Sequence, residues 1–507
     1  MASLEEPTPE IPRAADGAPD IAPAPPSTTS FHAYRLFAAV VAIYAVAITV
    51  LAAFGVVGFM LKSLVVPSVV LVAILLRRFK IFAEDWAIFV AAMFFFDAIR
   101  GAIYSLITAF ELPAYMAYAI DWEQALFGTP VLPHRLQAWW FSGQVGPLET
   151  FLSIVYASHF LVFLFFGLLL WMVRKPAFFA YTKAVAVVMV VGLFGYLLVP
   201  TIPPWMAADK YHVIPNVVSI TGLVYNTRLP DVVAVFDVNP IAAMPSMHVA
   251  FPFVISFIAW NCFRLRSLPV LIYTALVLFS VVYLGQHYLV DAIAGVAVAA
   301  VGYFVGYKWL GRRRWLPHRS DDVTPSTHPN PLRLRLTVAG LLFGARFVLS
   351  LWSFDIQKPG HESEAFIARE LEGKSDMVDY FRGTVAMDNG DTVGAVGLLQ
   401  KALTTVPERN LGLVYVALGN AAFQIGDFAS ADAAFSRMRE MPEESAWYWI
   451  QAKLKLGQVR AALPLVRRLA AQQPSDHPVH ALEIELIRAL PPEAFGEVSA
   501  ASALPPP

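Results

Sequence analysis

Two short segments each carry a histidine at the start of a long apolar stretch. The first is Pro245-Ser246-Met247-His248, and the second is Gly285-Gln286-His287-Tyr288-Leu289-Val290-Asp291. The chain between them is long enough for one helix to cross a membrane and a second to return. We therefore expect both imidazoles at one membrane face, with Asp291 one helical turn beyond His287. A histidine pair with an orienting carboxylate at a lipid–water boundary indicates phosphoryl transfer on a lipid.

The residue types fit a division of labour in that reaction. Neutral imidazole is a nucleophile near neutral pH, and Asp291 can accept the Nδ1 proton of His287 so that Nε2 attacks phosphorus. His248 can protonate the leaving oxygen and later deprotonate an acceptor alcohol. The helix start at Ser246 offers N–H groups to a phosphate. Two other interpretations stay open. The histidines could bind zinc, although no third strong ligand lies near either segment, or His287 and Asp291 could form a simple helix-start hydrogen bond.

Composition places these segments in a membrane protein. Of the 507 residues, 57% are hydrophobic and only 15% are charged, and the mean hydropathy is +0.58. Soluble proteins carry about 25% charged residues. No basic stretch resembles a nucleic-acid footprint, so no nucleic-acid partner is expected. The single cysteine, Cys262, excludes an intramolecular disulfide and a thiolate metal cluster, and we expect it to be a packed free thiol.

The apolar stretches predict about nine membrane spans. Basic clusters follow alternate spans, and the positive-inside rule places them in the cytoplasm. His248 and His287 are then expected at the extracytoplasmic face of an integral cell-membrane protein. The predicted spans are 36–61, 64–76, 86–108, 147–173, 178–200, 248–263, 268–284, 288–310 and 335–352, and the basic clusters lie at 77–80, 174–183, 264–266 and 312–319.

The chain divides into four parts, and all predicted structure is α-helical. Residues 1–30 and 491–507 are rich in proline and alanine and are expected to be disordered. Residues 31–353 form the membrane domain, with a catalytic core at about 90–305. Residues 355–490 read as helical repeats, because Gly390, Gly426 and Gly457 begin similar alanine-containing segments 36 and 31 residues apart. These intervals bracket the roughly 34 residues of tetratricopeptide repeats. An unrelated helical bundle is the alternative, and span parity places this domain outside the cytoplasm.

Four segments carry a family resemblance. Residues 243–248 and 285–295 resemble the second and third signatures of the type 2 phosphatidic acid phosphatase superfamily. With residues 156–160 and 199–205, the chain is most similar to the inositolphosphotransferase branch, which includes inositol phosphorylceramide synthases. The resemblance covers about residues 90–305. It implies a reaction that needs neither metal nor cofactor and proceeds through a phosphohistidine on His287, with Asp291 as its orienting group and His248 as the acid and base.

The sequence departs from the phosphatase pattern where that pattern supplies cations. Ser280 is followed by Val281 rather than arginine, and Val199-Pro200 stands where a Lys…Arg-Pro signature is expected. This departure favours the transferase branch and leaves the phosphate-binding cations to be found. The candidates for substrate binding are Lys210, Arg228 and Arg100, together with Ser246 and His159. Arg100 could instead form a structural pair with Asp97, and His159 could be a buried structural histidine.

The sequence thus predicts a membrane phosphotransferase that moves a phospho-headgroup, with inositol phosphate as one candidate, from a phospholipid to a lipid alcohol. A lipid phosphate phosphatase of the same fold is the first alternative. A non-catalytic membrane scaffold, whose repeats bind a protein partner, is the second.

Overall fold

The computed structural model describes residues 79–110, 112–228, 239–312, 337–342, 344–345, 362–438, 441–474 and 477–489. The predicted spans at 36–61 and 64–76, most of the span at 335–352 and both predicted disordered tails lie outside these ranges. Within them, the membrane domain is built of helices whose bounds are α1 Phe79–Ala109, α2 Ala117–Phe127, α3 Leu132–Trp140, α4 Pro147–Val173, α5 Lys175–Leu198, α6 Pro204–Asp209, α7 Ile220–Arg228, α8 Met247–Phe263, α9 Leu268–Tyr283 and α10 Leu289–Val301.

Among the residues that the structure describes, four helical stretches are long and apolar enough to cross a membrane, and the bent helix α4 makes a fifth if it is one span. The four are Glu84–Ala109, Lys175–Leu198, Met247–Tyr283 and Leu289–Arg312. The third is a hairpin, because the hydroxyls of Ser256 and Thr274 lie 2.8 Å apart and the Thr274 hydroxyl donates to the Pro252 carbonyl at 3.2 Å. Helices α8 and α9 therefore run antiparallel from a turn at residues 264–267.

The helices around this hairpin are joined by close backbone contacts. Helix α10 continues as a wider helical turn over Gly302–Trp309, which packs against α5. A Cβ atom added at Gly306 would lie 2.4 Å from the Cα of Ala184, so only glycine allows this approach. Cys262 is buried with its Sγ 3.3 Å from the Tyr307 hydroxyl, as expected of a packed thiol.

Helical hairpins form the C-terminal domain. After a short helical segment, α11, at Glu364–Phe366, the helices are α12 Val378–Asp388, α13 Thr392–Thr405, α14 Leu411–Gln424, α15 Phe428–Phe435, α16 Glu443–Lys455, α17 Val459–Ala470 and α18 Pro478–Ala489. Gly390, Gly426 and Gly457 occupy the turns within the three hairpins, with φ of +81°, +82° and +73°. L-residues rarely adopt such angles, so glycine is required there. The glycine that begins each of the three similar segments therefore lies in a turn between two helices.

The predicted all-α fold, a membrane helical bundle followed by a C-terminal helical repeat domain, is confirmed. Among the described residues, extended pairing is limited to two isolated bridges, Tyr115–Thr201 and Thr201–Ala242. These bridges join the loops that contain Tyr115, Thr201 and Ala242, which lie on the side of the bundle where α8 begins. Residues 362–381 of the C-terminal domain contact the same side.

Candidate active site

The start of α8 is fixed by close packing on both sides. The N–H of Ser246 donates to the carbonyl of Asp291 in α10 at 3.1 Å. A Cβ atom at Gly295 of α10 would lie 2.4 Å from the Ser246 carbonyl oxygen, and one at Gly195 of α5 would lie 2.2 Å from Cδ of Pro245. Glycines on two neighbouring helices therefore admit this segment, and they determine where His248 emerges.

The turn between α9 and α10 fixes His287 in a similar way. The N–H of His287 donates to the Val281 carbonyl at 3.0 Å, which closes the chain after α9. Gly285 has φ of +77°, and a Cβ atom there would meet the Val218 carbonyl at 2.6 Å. Both constraints require glycine, so the Gly-Gln-His order has a backbone reason.

The two histidines meet as the spacing predicts. His248 Nδ1 lies 3.2 Å from His287 Nε2, and both residues come from the same end of the bundle. On the other side of the ring, His287 Nδ1 lies 3.6 Å from Oδ2 of Asp291, which is fully buried. The same Oδ2 accepts from the Tyr288 N–H at 2.9 Å. The carboxylate is thus held by the backbone behind the ring that it faces.

The carboxylate behind the ring favours one proton arrangement in a neutral pair, although at 3.6 Å His287 Nδ1 and Asp291 Oδ2 are in electrostatic contact rather than hydrogen-bonded. A proton on His287 Nδ1 is stabilised by the Asp291 carboxylate, so Nε2 carries the lone pair. His248 Nδ1 must then be the donor in the contact between the rings. The lone pair of His287 Nε2 and the N–H of His248 are consequently side by side.

Two further aromatic side chains support His248. The Tyr156 ring stacks on it with centroids 4.3 Å apart and an interplanar angle of 18°. The His159 ring lies 4.2 Å from it, and His159 Nδ1 donates to the Tyr156 carbonyl at 2.7 Å. His159, predicted to bind substrate, is therefore buried against the ring of His248. Tyr156 was not predicted as a site residue, although it lies in the segment at 156–160 that carries part of the resemblance.

Both histidines line a cavity of about 470 Å³. Arg100 lines it too, with only 12% of its side chain exposed. Its Nη2 lies 3.2 Å from Asp97 Oδ1, and its Nε has no hydrogen-bond partner among the described residues. Arg100 is therefore both paired with Asp97 and present in the cavity. The polar residues lining the cavity beside it are Tyr156, Tyr196, Asp209, Ser219, Thr221, Asn239 and Gln286.

The other predicted substrate-binding residues lie elsewhere. Lys210 pairs with Glu362 of the C-terminal domain at 2.5 Å and is not part of the cavity lining, so a phosphate contact would require that pair to break. Ser246 is fully buried behind the lining, and its hydroxyl has no partner within the described residues. Arg228 ends α7, and its side chain lies outside the description.

Glu123 is a buried residue near the site that the sequence did not predict. It lies in α2, is fully buried, and its Oε2 accepts from the Val290 N–H at 3.1 Å. Burial raises the pKa of the Glu123 carboxyl, although backbone N–H groups at Val290 and Leu289 oppose this shift. Its partners are backbone groups 167 residues away, so no sequence motif marks it.

Comparison with known proteins supports a phosphoryl-transfer site. Residues 119–305 match the family model of the PAP2 superfamily. The chain is also similar to a phosphoinositol dihydroceramide synthase of Bacteroides thetaiotaomicron, with 22% identity over 210 residues, which cover 38% of this chain and 67% of the relative. No solved structure gives a significant match.

The matched region contains His159, His248, His287 and Asp291, and it ends at the residue where the predicted catalytic core ends. At the level of the family, these matches support a lipid phosphotransferase or phosphatase embedded in a membrane. The family match stops before the C-terminal helices. The tetratricopeptide assignment of those helices therefore stays a prediction.

Proposed function

We propose that this protein is an integral membrane phosphotransferase that moves a phospho-headgroup from a phospholipid onto a lipid alcohol. The observation that supports the proposal most is the 3.2 Å contact between His248 Nδ1 and His287 Nε2 inside one cavity, with Asp291 behind the second ring. A non-catalytic scaffold has no use for this arrangement, since burying ionisable groups at a membrane boundary is costly.

The first half-reaction forms a covalent intermediate. His287 Nε2 attacks the phosphorus of the phosphodiester, and the bond from phosphorus to the glyceride oxygen breaks. With the anionic phosphodiester bound, His248 acts as an imidazolium: it passes one proton to that oxygen, which leaves as the hydroxyl of diacylglycerol, and becomes a neutral imidazole. The headgroup phosphate is then attached to His287, and the Asp291 carboxylate stabilises the positive charge on the ring.

The second half-reaction reverses these roles. His248, now a neutral imidazole, accepts a proton from the hydroxyl of the acceptor lipid, and the alkoxide oxygen attacks phosphorus. The bond from phosphorus to Nε2 breaks, which restores His287. The product carries the headgroup on the acceptor lipid, and no water is consumed.

Arg100 is our candidate for the phosphate-binding cation. It lines the same cavity as both histidines. Its Nε is buried and has no hydrogen-bond partner among the described residues, so a phosphate oxygen that reached it would satisfy this donor. Asp97 holds the guanidinium from the other side at 3.2 Å. Arg100 would supply the charge that the sequence lacks at the two phosphatase signature positions.

The headgroup that best suits this cavity is a polyol phosphate such as inositol phosphate. Hydroxyl-rich groups need both donors and acceptors, and the lining provides them through Asp209, Ser219, Asn239 and Gln286. The Gln286 amide donates to the Ser219 hydroxyl at 3.0 Å, so the two side chains hold each other in position. The name of the bacterial relative, a phosphoinositol dihydroceramide synthase, supports the same headgroup and a sphingolipid-type acceptor.

The proposed site faces the extracytoplasmic side of the cell membrane. This orientation follows from the basic clusters in the sequence and the positive-inside rule. The C-terminal domain contacts loops on the same side of the bundle as the histidines, which agrees with the span parity.

The decisive experiment gives the purified full-length protein phosphatidylinositol with a labelled headgroup, with and without ceramide or diacylglycerol. We expect label in a new lipid only when the acceptor is present, and acid-labile label on the protein when it is absent. His287→Ala should abolish both signals, whereas His480→Ala, in the C-terminal helix α18, serves as the matched control. Release of free phosphate from a phosphomonoester, with no headgroup transfer, would establish the phosphatase instead.

A further inference from the structure

The C-terminal domain contacts the membrane domain at two loops next to the cavity. One loop, residues 114–117, leads into α2. The other, residues 210–212, follows α6. The contacting side chains come from residues 362–381, before and within the first helical hairpin.

At the first loop, the C-terminal domain supplies the cap for α2. The N-cap residue of that helix, Met116, makes no side-chain capping bond. Instead, Glu370 Oε2 accepts from the N–H of Met116 at 3.0 Å and from the N–H of Ala117 at 2.8 Å. A carboxylate at a helix N-terminus satisfies unpaired donors and interacts favourably with the helix dipole. Glu370 is only 2% exposed, so water does not replace it easily.

Arg369 fixes this carboxylate and the loop together. Its Nε donates to Glu370 Oε1 at 2.8 Å, and its Nη2 donates to the Ala114 carbonyl at 2.6 Å. Its guanidinium lies 4.8 Å from the centre of the Tyr115 ring. The backbone of Tyr115 pairs with Pro200 and Ile202, in the loop that continues into the cavity wall.

Helix α2 also contacts α10, the helix that carries Asp291, through a residue further along α2. Glu123 accepts from the N–H of Val290, the residue directly before Asp291. Glu370 therefore caps the N-terminus of α2, and Glu123 of α2 in turn caps the N-terminus of α10. The first turn of α10 carries Asp291, the carboxylate that faces His287.

The second loop is held by aromatic and polar contacts. The Tyr211 ring lies 5.5 Å from the ring of Phe366 and 5.2 Å from the ring of Phe381, and its hydroxyl donates to Glu362 at 2.7 Å. His212 Nδ1 lies 2.8 Å from Asp376 Oδ1. Asp209, two residues before Tyr211, lines the cavity. The second loop is thus adjacent to the cavity lining, and the first is joined to the cavity wall through the pairing of Tyr115 with Pro200 and Ile202.

We infer that the C-terminal helical domain is a positioning element of the active site, and that Glu370 acts by capping α2 and thereby setting the position of α10. Glu370 touches none of the cavity lining, so it is a positioning residue rather than a catalytic one. Losing the cap would loosen α2, release Glu123 from Val290 and let Asp291 move relative to His287. The activity readout of this inference rests on the proposed function.

The first test needs no activity. Hydrogen–deuterium exchange of the full chain in detergent compares wild type, Glu370→Ala and Glu370→Gln, with Glu485→Ala on the exposed face of α18 as the matched control. We expect faster exchange in Glu370→Ala at residues 116–118 and also at 289–291, and near-normal exchange in the glutamine variant, whose amide oxygen still accepts. Faster exchange at 116–118 alone would refute the connection to α10.

The second test measures headgroup transfer per folded enzyme. In Glu370→Ala we expect kcat to fall about tenfold with KM within about twofold, because a small displacement of the catalytic group slows the chemical step more than binding. Glu370→Gln should recover at least about half of the lost rate. A loss explained fully by the unfolded fraction, or equal losses in both variants, would overturn the inference.

If Glu370→Ala does not purify, Arg369→Ala carries both measurements, because it removes the contacts to Ala114 and Tyr115 and keeps the carboxylate. If wild type transfers no headgroup to any acceptor, the proposed function fails. The exchange experiment then still decides whether the C-terminal domain positions α10.

Discussion

Replacing Asp291 by asparagine tests the role of its charge, because the structure determines how the amide must sit. Oδ2 of Asp291 accepts from the Tyr288 N–H at 2.9 Å and faces His287 Nδ1 at 3.6 Å. In Asp291→Asn, the amide oxygen takes this position, because an NH₂ group there would confront the Tyr288 donor. The ring would keep its proton on Nδ1, and the variant would lose only the negative charge.

The size of the effect follows from the distance. Two unit charges about 4 Å apart interact by about 4 kcal/mol at an effective dielectric constant of about 20. His287 is neutral before attack and positive in the phosphohistidine, so this interaction develops along the reaction and lowers the barrier. The amide dipole retains part of it. A loss of about 2 to 4 kcal/mol lowers kcat by about 30-fold to about 1000-fold.

The assay is headgroup transfer at saturating donor lipid, together with the amount of labelled enzyme trapped without acceptor. We expect kcat and the rate of labelling to fall together, with KM nearly unchanged. Asp121→Asn, on the exposed face of α2, is the matched control. A decrease of less than about threefold, or an effect on KM alone, would refute the reasoning that Asp291 stabilises a developing charge.

Three further predictions follow from the same geometry. His248→Ala should slow headgroup transfer from a natural lipid at least about 100-fold. It should slow phosphoenzyme formation from a p-nitrophenyl phosphodiester less than about tenfold, since p-nitrophenolate leaves without a proton. Equal losses with both substrates would show that His248 is not the acid. Gly295→Ala should lower the free energy of unfolding by about 1–3 kcal/mol, because the new Cβ would lie 2.4 Å from the Ser246 carbonyl oxygen. Thermal unfolding measures this loss, and Gly397→Ala is the control, because no atom lies within 4 Å of the Cβ position at Gly397. Burial raises the pKa of Glu123. Its neutral form therefore contributes stability that is fully present below the usual glutamate pKa and is lost as pH rises through the raised pKa. The Tm of wild type minus that of Glu123→Gln should fall between these two pKa values, and a difference that stays constant with pH would contradict the raised pKa.

The histidine pair was predictable because local sequence determines it. A turn glycine, a helix start and the length of one hairpin are enough to bring His248 and His287 together, and Asp291 follows within one helical turn. The helical hairpins of the C-terminal domain were predictable for a related reason, since Gly390, Gly426 and Gly457 mark turns that need positive φ. In each case the determining interaction lies within a few residues or within one pair of helices.

The ion pair of Lys210 could not be predicted from local sequence. As a cation in a loop near the site, Lys210 was a reasonable candidate for phosphate binding. Its position is determined by Glu362, more than 150 residues later in the chain. Glu123 and Glu370 were missed because each caps a distant backbone, and backbone donors leave no side-chain pattern in the sequence. Arg100 was ambiguous for another reason, since the same guanidinium both pairs with Asp97 and lines the cavity.

The contact between the two imidazoles also has a consequence for the idle enzyme. While His248 donates to His287, the lone pair that would attack phosphorus is already engaged, and the nucleophile is masked. A ligand frees it only by offering enough binding energy to separate the rings. A phosphate held by a guanidinium can do so, whereas an electrophile that makes no contact with the guanidinium gains too little binding energy to separate the rings. Selectivity against side reactions would then be a property of the resting state itself, present before any lipid arrives.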